Sequence, residues 1–168
     1  MISRLLCLTA TVLFAANSLQ AEEVAVGKPA PDFKATDIDG KEVKLSDWVG
    51  KKQIVLVFSR AHWCPFCMGQ LGDLSKNYEQ IKKQDAEILV VFREERDGTE
   101  GLKKSQTSSK ATFPLLLDLG NKQTPDYSTT GFTTYLIGKD GKIKSILAGT
   151  KPKRPKTKAV LEALEQSN

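Results

Sequence analysis

The sequence predicts one α/β domain with a mixed sheet, and three features predict it. Gln53–Phe58 and Ala86–Phe92 are continuous apolar runs rich in β-branched residues, the pattern of strands covered on both faces. Between them Cys67, Leu71, Leu74, Tyr78 and Ile81 step by four, three, four and three, the spacing of one buried helical face. Thr133–Ile137 and Ile143–Ala148 flank Lys139-Asp140-Gly141-Lys142, a strand, turn and returning strand. Strand, helix, strand, helix, then hairpin and helix is an α/β order.

The chain of 168 residues opens with Arg4, an apolar run from Leu5 to Ala16, and Asn17-Ser18-Leu19-Gln20-Ala21. This reads as a secretory signal cleaved after Ala21. The run of about a dozen residues is short for a span, which needs roughly 20. Leu19 is larger than the usual small residue three before a cleavage site, so an uncleaved anchor is the alternative. Cys7 leaves with the signal. The mature domain is residues 22–168, enough for one core.

Within it, Lys28–Phe33 is extended by Pro29 and Pro31. Phe33–Leu45 reads as a hairpin turning at Asp39-Gly40. Ser46-Asp47 opens a short turn carrying Trp48, expected in packing. The helix after the first central strand is expected to run unbroken to about Lys83. Gly69 and Gly72 weaken it and are expected to fill a tight packing spot. Asp97-Gly98-Thr99-Glu100 looks like a capped helix start with an acid three residues on, leading a helix to about Ser109. Phe113–Asp118 is a short strand and turn, and Thr124–Ser128 a single helical turn. Pro155 leads a final helix with Val160, Leu161 and Leu164 inward. Net charge is 25 minus 20, or +5. The late cluster Lys151, Lys153, Arg154, Lys156 and Lys158 reads as a solvated loop and helix start, with a surface for an acidic partner as the alternative. No nucleic-acid module accompanies it.

The chemistry-bearing stretch is Ser59-Arg60-Ala61-His62-Trp63-Cys64-Pro65-Phe66-Cys67, where strand hands over to helix. A first helical turn has unpaired N–H groups and the positive end of the macrodipole, so a thiol held there loses its proton more easily. Pro65 suits the first helical position. Cys64 is then the exposed nucleophile, and Cys67 closes a disulfide with it. Two cysteines three apart enclose almost no loop, so a structural staple would stabilise little. His62, the one histidine, could favour the Cys64 thiolate as an imidazolium or simply face solvent.

Trp63-Cys64-Pro65-Phe66-Cys67 after a buried strand resembles the active site of the thioredoxin superfamily. Gly27–Phe33, Asp39-Gly40-Lys41 and Leu45-Ser46-Asp47 resemble the opening of its redoxin branch, which holds AhpC/TSA domains and exported thioredoxin-like proteins. Thr133–Ile137 with Lys139–Ile143 is similar to the family's later strand and hairpin. The resemblance covers nearly all of residues 25–166. It implies a three-layer α/β/α fold with a central mixed sheet and an N-terminal hairpin extension. It also implies a substrate groove at Trp63, Pro65, Phe66 and Thr133. Thr133 stands where the family has a cis-proline, so the bond before it is a candidate trans bond. Phe58 stands where thioredoxin has a buried acid. Ala61 and Val57 stand where a peroxidase has Thr/Ser and Pro.

The resemblance therefore implies an exported thiol–disulfide oxidoreductase, in a bacterial periplasm, working without a cofactor. Cys64 attacks and Cys67 resolves. Its partners are disulfide or thiol substrates and a redox partner that recycles the pair, with no nucleic acid and no membrane span in the mature chain. The alternative is a thiol-dependent peroxidase with Cys64 peroxidatic and Cys67 resolving. A third reading is a copper-binding module using Cys64, Cys67 and His62, which lacks a completing ligand.

Overall fold

The computed structural model describes residues 24–125, 127 and 132–167; the expected signal segment, residues 1–21, and Cys7 within it lie outside the described residues. At its centre is β3 (Gln53–Ser59), every residue of which is buried. It pairs in parallel with β4 (Ala86–Phe92), equally buried, which pairs in parallel with β5 (Leu115–Leu117). On the other side β3 pairs antiparallel with β6 (Thr134–Ile137), and β6 with β7 (Ile143–Leu147). The hairpin β1 (Lys34–Asp37) and β2 (Glu42–Lys44) joins the far edge through β5. The sheet is mixed and seven-stranded, in the order β2-β1-β5-β4-β3-β6-β7.

The alternation of side chains along β3 builds two cores. Val55 and Val57 face Leu71 and Leu74 of α1 (Pro65–Lys76), Ile81 of α2 (Tyr78–Lys83), Leu102 of α3 (Thr99–Ser109) and Val160 and Leu164 of α4 (Thr157–Glu165). Ile54, Leu56 and Phe58 face Phe33, Leu45, Tyr127 and Tyr135, with Trp48 half-buried against them. The second face is thus covered, among the described residues, by the N-terminal segment, the short 3-10 helix Leu45–Asp47 with Trp48 after it, and Tyr127. The expected helical turn at 124–128 falls largely outside the described residues.

The helix expected to run unbroken to Lys83 is two helices. Asn77 takes a non-helical conformation, and its side-chain amide donates back to the Asp73 carbonyl at 2.8 Å. Asparagine competes for backbone partners in this way. A side chain at Gly69 or Gly72 would meet open space, so neither glycine fills a packing spot. The expected capping box of α3 does not form. Gly98 caps it in a positive-φ conformation, while Asp97 pairs with Lys104 and Glu100 with Lys103, each at 2.6 Å. No helix among the described residues is long and apolar enough to cross a membrane.

Candidate active site

Cys64 is the N-cap of α1, and Pro65 is its first residue. The two cysteines form a disulfide with Cα atoms 5.2 Å apart. The Cys67 amide donates to the Cys64 sulfur at 3.3 Å, so one orphan N–H of the helix start is spent on sulfur. The expectation of an exposed Cys64 is corrected: it is 2% accessible and Cys67 is fully buried. The cause is the sulfur's inward turn toward that amide and toward a guanidinium.

That guanidinium belongs to Arg154. Its Nη2 lies 3.0 Å from the Cys67 sulfur and 3.6 Å from the Cys64 sulfur. Arg154 is 7% exposed, and the solvated-loop expectation fails for it. Its plane stacks over the Phe132 ring, 4.2 Å from the centroid. Burial pulls its pKa down to about 10, with Arg60 adding repulsion and Glu94 opposing. The loop that carries it passes so close to the chain before β6 that a Cβ on Gly149 would sit 2.3 Å from the Phe132 carbonyl oxygen.

His62 is tied elsewhere. Its backbone N–H donates to Glu95 at 2.8 Å, and its Nδ1 lies 2.9 Å from the same carboxylate oxygen. Glu95 is fully buried and also accepts the Asp97 amide at 3.1 Å. A Cβ on Gly101 would collide with the Glu95 carboxyl, so α3 needs glycine there. Nε2 of His62 is 3.8 Å from Asp97. The ring thus faces two carboxylates, and no hydrogen bond joins it to either sulfur among the described residues. Glu95 fixes the turn that delivers Trp63 and Cys64.

Trp63 and Phe66 are 49% and 43% exposed, and Pro65 is exposed with them, an apolar rim beside the buried sulfurs. Arg60 stacks on Trp63 at 4.7 Å and forms two 2.7 Å hydrogen bonds to Glu94. Thr133 is buried, and its carbonyl accepts the Phe58 amide at 3.1 Å. No peptide bond is cis among the described residues, so the bond before Thr133 is trans. Ala61 is buried and Val57 lies inside β3, so neither supplies a hydroxyl to the sulfurs. Sequence reasoning missed Arg154, Glu95 and Phe132. One signal was available for the first: an arginine among lysines, set before Pro155, is the residue type suited to a fixed, desolvated contact.

Comparison with known proteins gives a coherent picture. A model of the AhpC/TSA family matches residues 26–146. The thiol-disulfide oxidoreductase ResA of Geobacillus kaustophilus is 35% identical over 133 residues, 77% of this chain and 73% of that protein. The thioredoxin domain of a thiol-disulfide oxidoreductase from Bacteroides vulgatus superposes with a TM-score of 0.67 at 24% identity, over 85% of this chain and 97% of that one. Peroxidoxin BcpB of Mycobacterium tuberculosis superposes with a TM-score of 0.72 at 18% identity, over 85% of this chain and 97% of that one. These two structures establish a thioredoxin-like α/β fold. They do not separate disulfide exchange from peroxide reduction, because both sit on the same scaffold.

Proposed function

The chain belongs to the AhpC/TSA family, and we propose that within it the protein is an exported thiol–disulfide oxidoreductase acting through Cys64 and Cys67. It is an oxidoreductase by its relatives. The finer assignment is supported by one observation above the others: a helix-start disulfide whose two sulfurs touch the buried Arg154 guanidinium. The environment is built to hold negative charge on sulfur, and the thiolate is the attacking species in exchange.

In the reduced protein, the Cys64 thiolate attacks one sulfur of a substrate disulfide. The substrate S–S bond breaks, a mixed disulfide forms, and the departing substrate thiolate takes a proton from solvent. Cys67 then loses its proton and attacks the Cys64 sulfur. The second substrate thiol leaves, and two electrons have passed from the protein to the substrate. The reverse sequence oxidises a dithiol. Arg154 and the Cys67 amide stabilise whichever sulfur carries charge. Trp63, Pro65 and Phe66 give the substrate an apolar seat, Thr133 forms the facing edge, and His62, held by Glu95, positions the turn.

Residues 1–21 act as the export signal in this reading, which puts the protein outside the cytoplasm and gives it a separate redox partner to recycle the pair. The peroxidase alternative needs a hydroxyl near the reactive sulfur, and Ala61 and Val57 supply none. The direct test is the Cys67→Ala variant, mixed with a protein disulfide. It should accumulate a mixed disulfide on Cys64 that reducing agent releases, and Cys64→Ser should form none. Exchange by Cys67→Ala at the wild-type rate would refute the resolving role.

A further inference from the structure

We infer that the cleft beside Trp63 is a docking site for an acidic peptide segment flanking the substrate's disulfide. This rests on the oxidoreductase reading and adds a substrate class to it. The cleft measures ≈ 460 Å³ and is lined by Arg60, Arg93 and Arg96, by Glu94, and by the exposed apolar groups Trp63 and Leu119. Three arginines and one carboxylate line the cleft, with Trp63 immediately next to Cys64 in sequence.

The one carboxylate is heavily shared. Glu94 holds Arg60 through both oxygens, and Arg96 and Arg154 add to the field that keeps its carboxyl below the usual range. Arg93 is buried and fixed: its Nη2 donates to the Thr124 carbonyl at 2.7 Å, its guanidinium stacks over Phe58, and Asp118 lies in its field. Arg96 is exposed at the rim and enters none of the ion pairs among the described residues. With Arg60 matched by Glu94 and Arg93 facing Asp118, the surplus positive charge of the cleft lies at Arg96, and Arg60 and Glu94 lie in turn in the field of the Arg154 cation that touches the sulfurs.

A carboxylate entering here meets a fork-shaped donor at Arg96, while an adjoining apolar side chain meets Trp63 and Leu119. The volume suits a few residues of peptide, within the range of small-ligand clefts. A basic segment meets repulsion in the same place, so the cleft selects by exclusion as well as attraction.

The test uses reduced, mature protein and three peptides of equal length, each with one internal disulfide flanked by two Glu, two Gln or two Lys. Exchange rates are measured at low and high salt. The Glu peptide should react at least about tenfold faster than the Lys peptide at low salt, and salt should shrink that ratio. Arg96→Glu should bring the ratio to about one or invert it. Lys158→Glu, the same charge change on a side chain 88% exposed on α4, should leave the ratio standing. Equal rates for the three peptides refute the docking site while leaving the oxidoreductase reading intact. A ratio unchanged by Arg96→Glu, or equally reduced by Lys158→Glu, also refutes it, since overall charge would then explain the preference. Failure to exchange with any of the three overturns the reading and the docking site together.

Discussion

Replacing Arg154 with Met removes a positive charge from the sulfurs while keeping most of the side-chain volume. At 3.6 Å from the sulfur of Cys64, the attacking thiolate, a unit charge and a thiolate interact by about 1.2 kcal/mol at the dielectric of water and about 4.6 kcal/mol at an effective dielectric of about 20. That stabilisation applies to the reduced state alone, because the disulfide is neutral. The two-electron couple converts about 1.4 kcal/mol into about 30 mV. Arg154→Met should therefore lower the reduction potential by about 25–100 mV. The pH at which the reduced protein forms its thiolate should rise. Equilibration of wild type and variant against glutathione measures the first, and a thiolate absorbance titration the second. Arg154→Lys should fall between the two, since a compact ammonium keeps the charge but not the stacked plane on Phe132. An unchanged potential and titration in Arg154→Met would refute the claim that this guanidinium holds charge on sulfur.

Three further substitutions test the supports of the site. Gly149→Ala places a Cβ 2.3 Å from the Phe132 carbonyl oxygen, so the loop must move and take Arg154 with it; the potential should fall in the same direction although Arg154 is intact. Gly101→Ala forces the buried Glu95 carboxyl off its partners and should cost about 1–3 kcal/mol in denaturant unfolding. Gly69→Ala meets open space on α1 and should stabilise by about 0.5–1 kcal/mol, read as a melting temperature higher by about 1–4 °C.

The central strands were legible because β3 and β4, buried throughout, are apolar everywhere but at Gln53, Ser59 and Glu87. The cysteine pair at a helix start was legible because Pro65 and the four-three spacing from Cys67 mark both the start and the buried face. The break at Asn77 was not, because the apolar stripe continues in register across it through Tyr78 and Ile81. Arg154 was not legible either. Locally it sits in a run of lysines, and Lys151, Lys153, Lys156 and Lys158 are indeed exposed. Its burial is a tertiary effect, set by the approach of Gly149 to Phe132 some 17 residues away in sequence. Glu95 was hidden in the same manner. Beside Glu94, half-exposed and paired with Arg60, it reads as surface charge, yet the turn after β4 sends it inward beneath α3.

The measurement that tests the account most directly is a pair of stopped-flow experiments on the fully reduced protein, followed by tryptophan fluorescence from Trp63 beside the pair. One mixes it with excess hydrogen peroxide and the other with a peptide disulfide. The account predicts rapid oxidation by the disulfide, and oxidation by peroxide at a rate near that of an ordinary thiolate. Oxidation by peroxide many orders of magnitude faster than a free thiol, with slow disulfide exchange, would contradict it and make the Cys64–Cys67 pair a peroxidase centre.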